Sequence, residues 1–185
     1  MGLPEDRERF KQRAALVQTV VIEVDGMGAA FEYAADLTSK QGGQSIAAPG
    51  ITGEDLSLLE SVCRERNLIL IHENLREEAG RISTGLTMAD WGVSRTATLV
   101  IDSESEDIRI ATTLSETHVA VLPESRIVPD LEEIEAELTR LMKAAPGYLA
   151  FISGASRTAD IERVLTIGVH GPQELHVVIV GEGAR

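Results

Sequence analysis

Ser153, Gly154, Ser156, Arg157 and Thr158 fall together in the stretch Ser-Gly-Ala-Ser-Arg-Thr, directly after the apolar run Leu-Ala-Phe-Ile, with Asp160 close behind. A buried strand running into a Gly/Ser/Thr loop exposes backbone N–H groups at its carboxyl end. Such a place suits an anion, and Arg157 would add a charge-assisted hydrogen bond. Asp160 opposes a simple phosphate site; it would instead orient Arg157 or accept from a ligand hydroxyl. The alternative is structural, with Ser156 or Thr158 merely capping the turn. The stretch lacks the glycine spacing and the lysine of a P-loop. Downstream, Gly168-Val-His170-Gly-Pro172 puts His170 in a tight turn, where a lone histidine is more often structural than catalytic.

Other reactive side chains are few. Cys63 is the only cysteine, so an internal disulfide, an iron–sulfur cluster or a multi-thiolate zinc site is outside this chain's own means. It falls on the apolar stripe of a helix with Leu56 and Leu59, which predicts a buried structural thiol. His72, His118, His170 and His176 are scattered, and no ligand-pair spacing joins them, so no metal is expected.

The elements that must position these residues alternate. Residues 4–18 read as a polar helix, 20–24 as a β-branched strand, 29–40 as a helix and 45–50 as a strand into a turn. A helix over 54–66 and a strand over 67–71 follow. That α-β order predicts an α/β fold with a mainly parallel sheet and helices on both faces. The runs at 96–102, 108–113 and 118–123 read as three strands too closely spaced for crossover helices, which predicts a mixed or antiparallel portion. A helix is predicted over 130–145, opened by a capping box of Asp130 and Glu133 and lined by Leu131, Ile134, Leu138, Leu141 and Met142. Strands over 148–154 and 174–180 close the chain. With no repeat or linker, residues 1–185 read as a single domain.

A net charge of −13 argues against nucleic-acid backbones and anionic membranes as partners. One Trp, two Tyr and three Phe leave Val, Ile, Leu and Ala to fill the core, as in sheets buried on both faces. No apolar run reaches membrane-spanning length, and the charged start lacks the apolar centre of a secretory signal. Met1-Gly2 lacks the Ser or Thr at position 6 that lipidation would need. A cytoplasmic location is expected.

The two motifs 153–162 and 168–172, in this order before a terminal apolar strand, resemble the signature of the LUD-domain family, and within it the lactate utilization protein C group. A second block supports the resemblance: Gly85-Leu86-Thr87, Ala89-Asp90, then Thr96 and Thr98-Leu99-Val100, where family members read G-x-T-x-A-D-x-x-I-A-E-T-G-T. His118-Val-Ala-Val121, Ile127-Val128 and Asp130-Leu131 extend it, so the likeness runs from Gly85 to Val180. The resemblance implies a fold like the NagB/RpiA/CoA-transferase group. It also implies a place in lactate utilization beside iron–sulfur oxidoreductase subunits that oxidise L-lactate to pyruvate. It brings no catalytic residue and no cofactor of this chain's own.

Two positions depart from the pattern. Arg95 stands where the family has Glu, which reverses a charge, and Ala97 stands where it has Gly, which narrows the backbone's access to positive φ. The ligand-facing set expected from both blocks is Ser153, Gly154, Ser156, Arg157, Thr158, Asp160, His170, Thr87, Asp90, Arg95 and Thr96. Three functions follow: an accessory component of lactate oxidation that binds a small anionic ligand or a partner; an enzyme or binding protein for a sugar phosphate or acyl-CoA-type anion; or a sensor or scaffold whose acidic surface, including the charged loop 102–107, meets a basic partner.

Overall fold

The computed structural model describes residues 4–143, 147–158, 166–167 and 171–181. Helix α1 (Pro4–Leu16) leads into β1 (Val20–Val24), α2 (Met27–Lys40), β2 (Ser45–Ala47), α3 (Gly53–Glu65), β3 (Ile69–Ile71) and the short α4 (Leu75–Glu78). The middle holds β4 (Thr84–Met88), β5 (Trp91–Val93), β6 (Thr98–Asp102), α5 (Glu106–Leu114), β7 (Thr117–Pro123) and β8 (Ile127–Val128). Helix α6 (Glu135–Lys143), β9 (Leu149–Ile152), a ribbon of β10 (Arg157–Thr158) with β11 (Thr166–Ile167), and β12 (Glu174–Val180) complete it.

Six strands form one all-parallel sheet in the order β1-β12-β7-β4-β2-β3. A second, mixed sheet runs β8-β5-β6-β9, antiparallel except between β5 and β8. The mainly parallel α/β sheet with a mixed portion is therefore as the sequence indicates. Strand alternation separates two buried faces. Ile46, Leu86, Val119, Val121 and Val178 point to α2 and α3, packing with Phe31, Ala34 and Leu59. Ala47, Ala120, Leu122, Val177 and Ile179 point the other way, toward α1, α5 and the second sheet. Burial on both sides is why these strands read as continuous apolar runs.

Three expectations are corrected. The run 108–113 is helix α5, not a strand, and it is the crossover that carries the chain back to β7. Its Ile-Arg-Ile alternation imitates a strand. Glu106 and Asp107 favour a helix start, and the hydroxyls of Thr112 and Thr113 donate to the carbonyls of Ile108 and Arg109, so the threonines sit comfortably in a helix. The run 118–123 consequently lies at the centre of the parallel sheet, and the mixed portion is built from β5, β6, β8 and β9 instead. Third, 130–145 does not start as one capped α-helix. A 3-10 turn (Leu131–Ile134) precedes α6, and Asp130 makes no side-chain cap, its carboxylate facing Arg95 at 3.5 Å. Only Ile134 of the expected stripe is fully buried, while Met142 is exposed. Residues 144–146 lie outside the described residues.

Among the described residues, no helix is long and apolar enough to cross a membrane.

Candidate functional site

The loop after β9 is seated on the end of α1. Gly154 has φ +84°, and a Cβ there would lie 2.9 Å from the Val17 carbonyl oxygen, so both conformation and space call for glycine. The guanidinium of Arg157 donates from Nη2 to the Val17 carbonyl at 2.7 Å and to Gln18 Oε1 at 3.1 Å. The Ser156 N–H donates to the Pro172 carbonyl at 2.9 Å. Ser153 shares a 2.7 Å hydrogen bond with Thr98, which in turn bonds Thr96 at 2.7 Å, a chain of three hydroxyls at the surface. Thr158 lies on β10, its backbone paired with Thr166. Asp160 and His170 lie outside the described residues.

The block from Gly85 to Thr98 is legible atom by atom. A Cβ on Gly85 would lie 2.0 Å from the Ala111 carbonyl oxygen, so the missing side chain lets the backbone of α5 rest on the sheet. Thr87 points to the same side and bonds His118 Nε2 at 2.9 Å. Asp90 accepts the Asp102 N–H at 2.6 Å and pins the end of β6 to the β4–β5 corner. Burial, followed by the nearby Asp102 charge, pushes the Asp90 carboxyl above its ordinary value against hydrogen bonds that lower it. Arg95 is exposed and faces Asp130. Ala97 adopts φ +51° while buried. The left-handed conformation that glycine would allow at this position is thus kept by an alanine.

Helix α5 roofs two cavities that these residues line. One, about 330 Å³, opens at the carboxyl ends of β2 and β4 and is lined by Gly50, Thr87, Asp90, Asp102 and Glu104. The connection after β2 leaves toward α3 and that after β4 toward the second sheet, so this crevice occupies the switch point where open α/β sheets hold ligands. The other, about 220 Å³, lies at the starts of β7 and β12 against the loop after β9; His118, Gly154, Ser156 and Leu175 line it. The 2.9 Å bond between Thr87 and His118 links the two linings. His118 is enclosed, and desolvation pushes its pKa down to about 4, so the imidazole is neutral near pH 7.

The structure thus gathers Thr87 with Asp90, and Gly154 with Ser156, but neither Arg95 nor Arg157 lines either cavity. His118 lines the smaller cavity, although the resemblance marks it as a strand residue and not as a ligand-facing one. The signal was its register opposite Gly85, which requires knowing that β4 and β7 are neighbours.

One further cluster and one lone thiol resemble sites. The Tyr33 hydroxyl and His176 Nδ1 share a hydrogen bond of 2.7 Å, and His176 Nε2 meets Glu174 at 2.9 Å, in the order of a catalytic triad. Burial and then Glu174 push the Tyr33 hydroxyl up, which opposes a nucleophile; the trio instead ties α2 to β12. Cys63 is buried, and desolvation raises its thiol to about 11, which makes it inert. Among the described residues, no group of three or more His, Cys, Asp or Glu side chains is placed to hold a metal ion.

The model of the LUD domain matches residues 7–180. The chain is 35% identical over 113 residues to lactate utilization protein C of Halalkalibacterium halodurans, an alignment covering 58% of this chain and 48% of that protein. It is 28% identical over 174 residues to lactate utilization protein C of Anoxybacillus flavithermus, covering 92% and 78%. The aligned part thus spans about half of the first relative's length. A DUF162 family protein from Deinococcus radiodurans has a similar fold, with TM-score 0.64, 19% identity and 96% and 97% of the two chains covered.

Proposed function

Because the chain belongs to the LUD domain family, we propose that it is an accessory component of lactate utilization, working in the cytoplasm beside iron–sulfur subunits that oxidise L-lactate to pyruvate. The observation that carries this reading is its similarity to lactate utilization protein C across most of its length. The residue inventory fits. Cys63 is the only thiol and is held as a buried, raised-pKa group, so cluster-borne electron transfer falls to a partner.

Of the two modes open to an accessory component, binding a partner has more support than binding a small anion. Arg157 and Arg95 hold protein acceptors, and the switch-point crevice presents three carboxylates, Asp90, Asp102 and Glu104, which repel an anion. A second reading, an enzyme or binding protein for a sugar phosphate or acyl-CoA-type ligand on a NagB/RpiA/CoA-transferase-like frame, draws on that crevice's position at the strand ends. The same carboxylates weigh against it.

Affinity purification of the tagged chain from lactate-grown cells of its source organism tests the leading reading. Recovery of cysteine-rich subunits with iron–sulfur absorbance is the expected result. Recovery of the chain alone, at low salt and without oxygen, would overturn it.

A further inference from the structure

The cavity at the starts of β7 and β12 has a chemistry unlike the crevice at the strand ends. Its walls are the apolar side chains of Ala150, Ile152, Ala155, Pro172 and Leu175, and none of the described residues that line it is charged. The hydroxyls of Thr112 and Thr113, also in the lining, donate into α5 itself. Among the described lining residues, His118 and Ser156 carry the remaining polar side chains that could address a polar atom inside. With its Nε2 held by Thr87, the imidazole is fixed in orientation, and as a neutral ring it can offer a hydrogen bond without bringing a charge.

Two physical limits define what fits. An apolar cavity of roughly 150 Å³ takes benzene, so about 220 Å³ accommodates a compact molecule of somewhat greater size. A carboxylate or phosphate entering the same space would give up part of its hydration with no counter-charge among the described lining residues. We propose that this cavity is a binding site for a small, uncharged, largely apolar molecule carrying one hydrogen-bonding group, read by His118 and Ser156. This goes beyond the role in lactate utilization and stands on cavity chemistry alone; it survives or fails whether or not the chain has an iron–sulfur partner.

The test is a titration of the intact, isotopically labelled chain at pH 7, followed by NMR, with phenol, toluene and benzoate as probes of matched size. Phenol is expected to give saturable shifts at the amides of Ala150, Ala155 and Leu175 and in the His118 ring. Toluene should bind several-fold more weakly, and benzoate at least tenfold more weakly. Ala155→Phe, which fills the cavity from the loop side, should abolish the phenol shifts. Should that variant fail to fold, the wild-type ranking of the three probes decides alone. The proposal is overturned if phenol gives no saturable shift, if benzoate binds as tightly as phenol, or if the shifts persist in folded Ala155→Phe.

Discussion

The two faces of the six-stranded sheet are packed by different means. Under α2 and α3 the contacts are side chain to side chain, with Phe31, Leu59, Leu86 and Val119 in the layer and the Thr38–Thr84 and Tyr33–His176 hydrogen bonds joining α2 to the strands. Under α5 the helix backbone itself touches the sheet at Gly85, and beside that contact lie a buried threonine–histidine pair and two cavities. Residues of the family signature gather on the second face: Gly85, Thr87 and Ala89 on or beside β4, and Gly154 and Ser156 in the loop that closes the smaller cavity. A face can be held closely by absent side chains as well as by large ones: at Gly85 the helix backbone itself lies on the strand.

The largest expected effect sets one face against the other. Gly85→Ala adds one carbon into the Ala111 carbonyl, a backbone atom that cannot rotate away, and should cost about 3 kcal/mol or more. Leu59→Ala removes three carbons from the opposite face and should cost roughly 2–5 kcal/mol through the cavity left behind. Urea denaturation compares them directly. A mild Gly85→Ala would mean that α5 is free to lift, and the comparison would break.

Next comes pH. His118 titrates near 6.5 when unfolded and at about 4 when folded, so the unfolded chain binds the extra proton as pH falls between these values. Stability is therefore full above about pH 6.5 and lost on descent toward pH 4, by roughly 2–3 kcal/mol between pH 7 and 4.5. Asp90 works in the opposite sense, because its raised carboxyl takes up a proton earlier in the folded chain. Denaturation midpoints across pH should show this limb in the wild type and a flatter one in His118→Gln; identical profiles would remove His118 as the cause.

Smaller again, Thr87→Val leaves His118 Nε2 without its partner and should cost about 1–2 kcal/mol, with a displaced His118 ring resonance reporting the lost bond. An unmoved resonance would place the hydroxyl's role elsewhere. Ala97→Gly should be smallest. Relief of the left-handed alanine is offset by the lost methyl burial and by the freer unfolded chain, leaving a net change within about 1 kcal/mol. Ala97→Val, a branched side chain at the same φ, should be far worse. Equal melting temperatures for the two would contradict the strain.

How far the sequence reaches can be seen in single elements. β1, β12 and the Cys63 helix are legible because apolar spacing alone defines them. Helix α5 is not, because six residues with alternating isoleucines carry no length signal and its helical character depends on Asp107 accepting the N–H groups of Asn74 and Leu75 and on threonine back-bonding. The site was half legible. Thr87, Asp90, Gly154 and Ser156 could be singled out by motif, whereas His118, marked by the resemblance as a strand residue, is brought to Thr87 by the β4–β7 register. The role expected of Arg157 turned on a neighbour far away in sequence: the end of α1, whose Val17 carbonyl it caps. Ala97 shows the reverse case, a departure visible in sequence whose consequence, a retained positive φ, only the backbone reveals.

We propose that the chain serves lactate utilization without carrying the redox chemistry itself. Growth of a deletion strain of the source organism on L-lactate, against growth on glucose, tests it most directly. Slowed or absent growth on lactate alone is the expected result, restored by the wild-type chain and equally by Cys63→Ala. Normal growth of the deletion strain on lactate would contradict the pathway assignment, and failure of Cys63→Ala to restore growth, with the variant folded, would contradict the non-redox role.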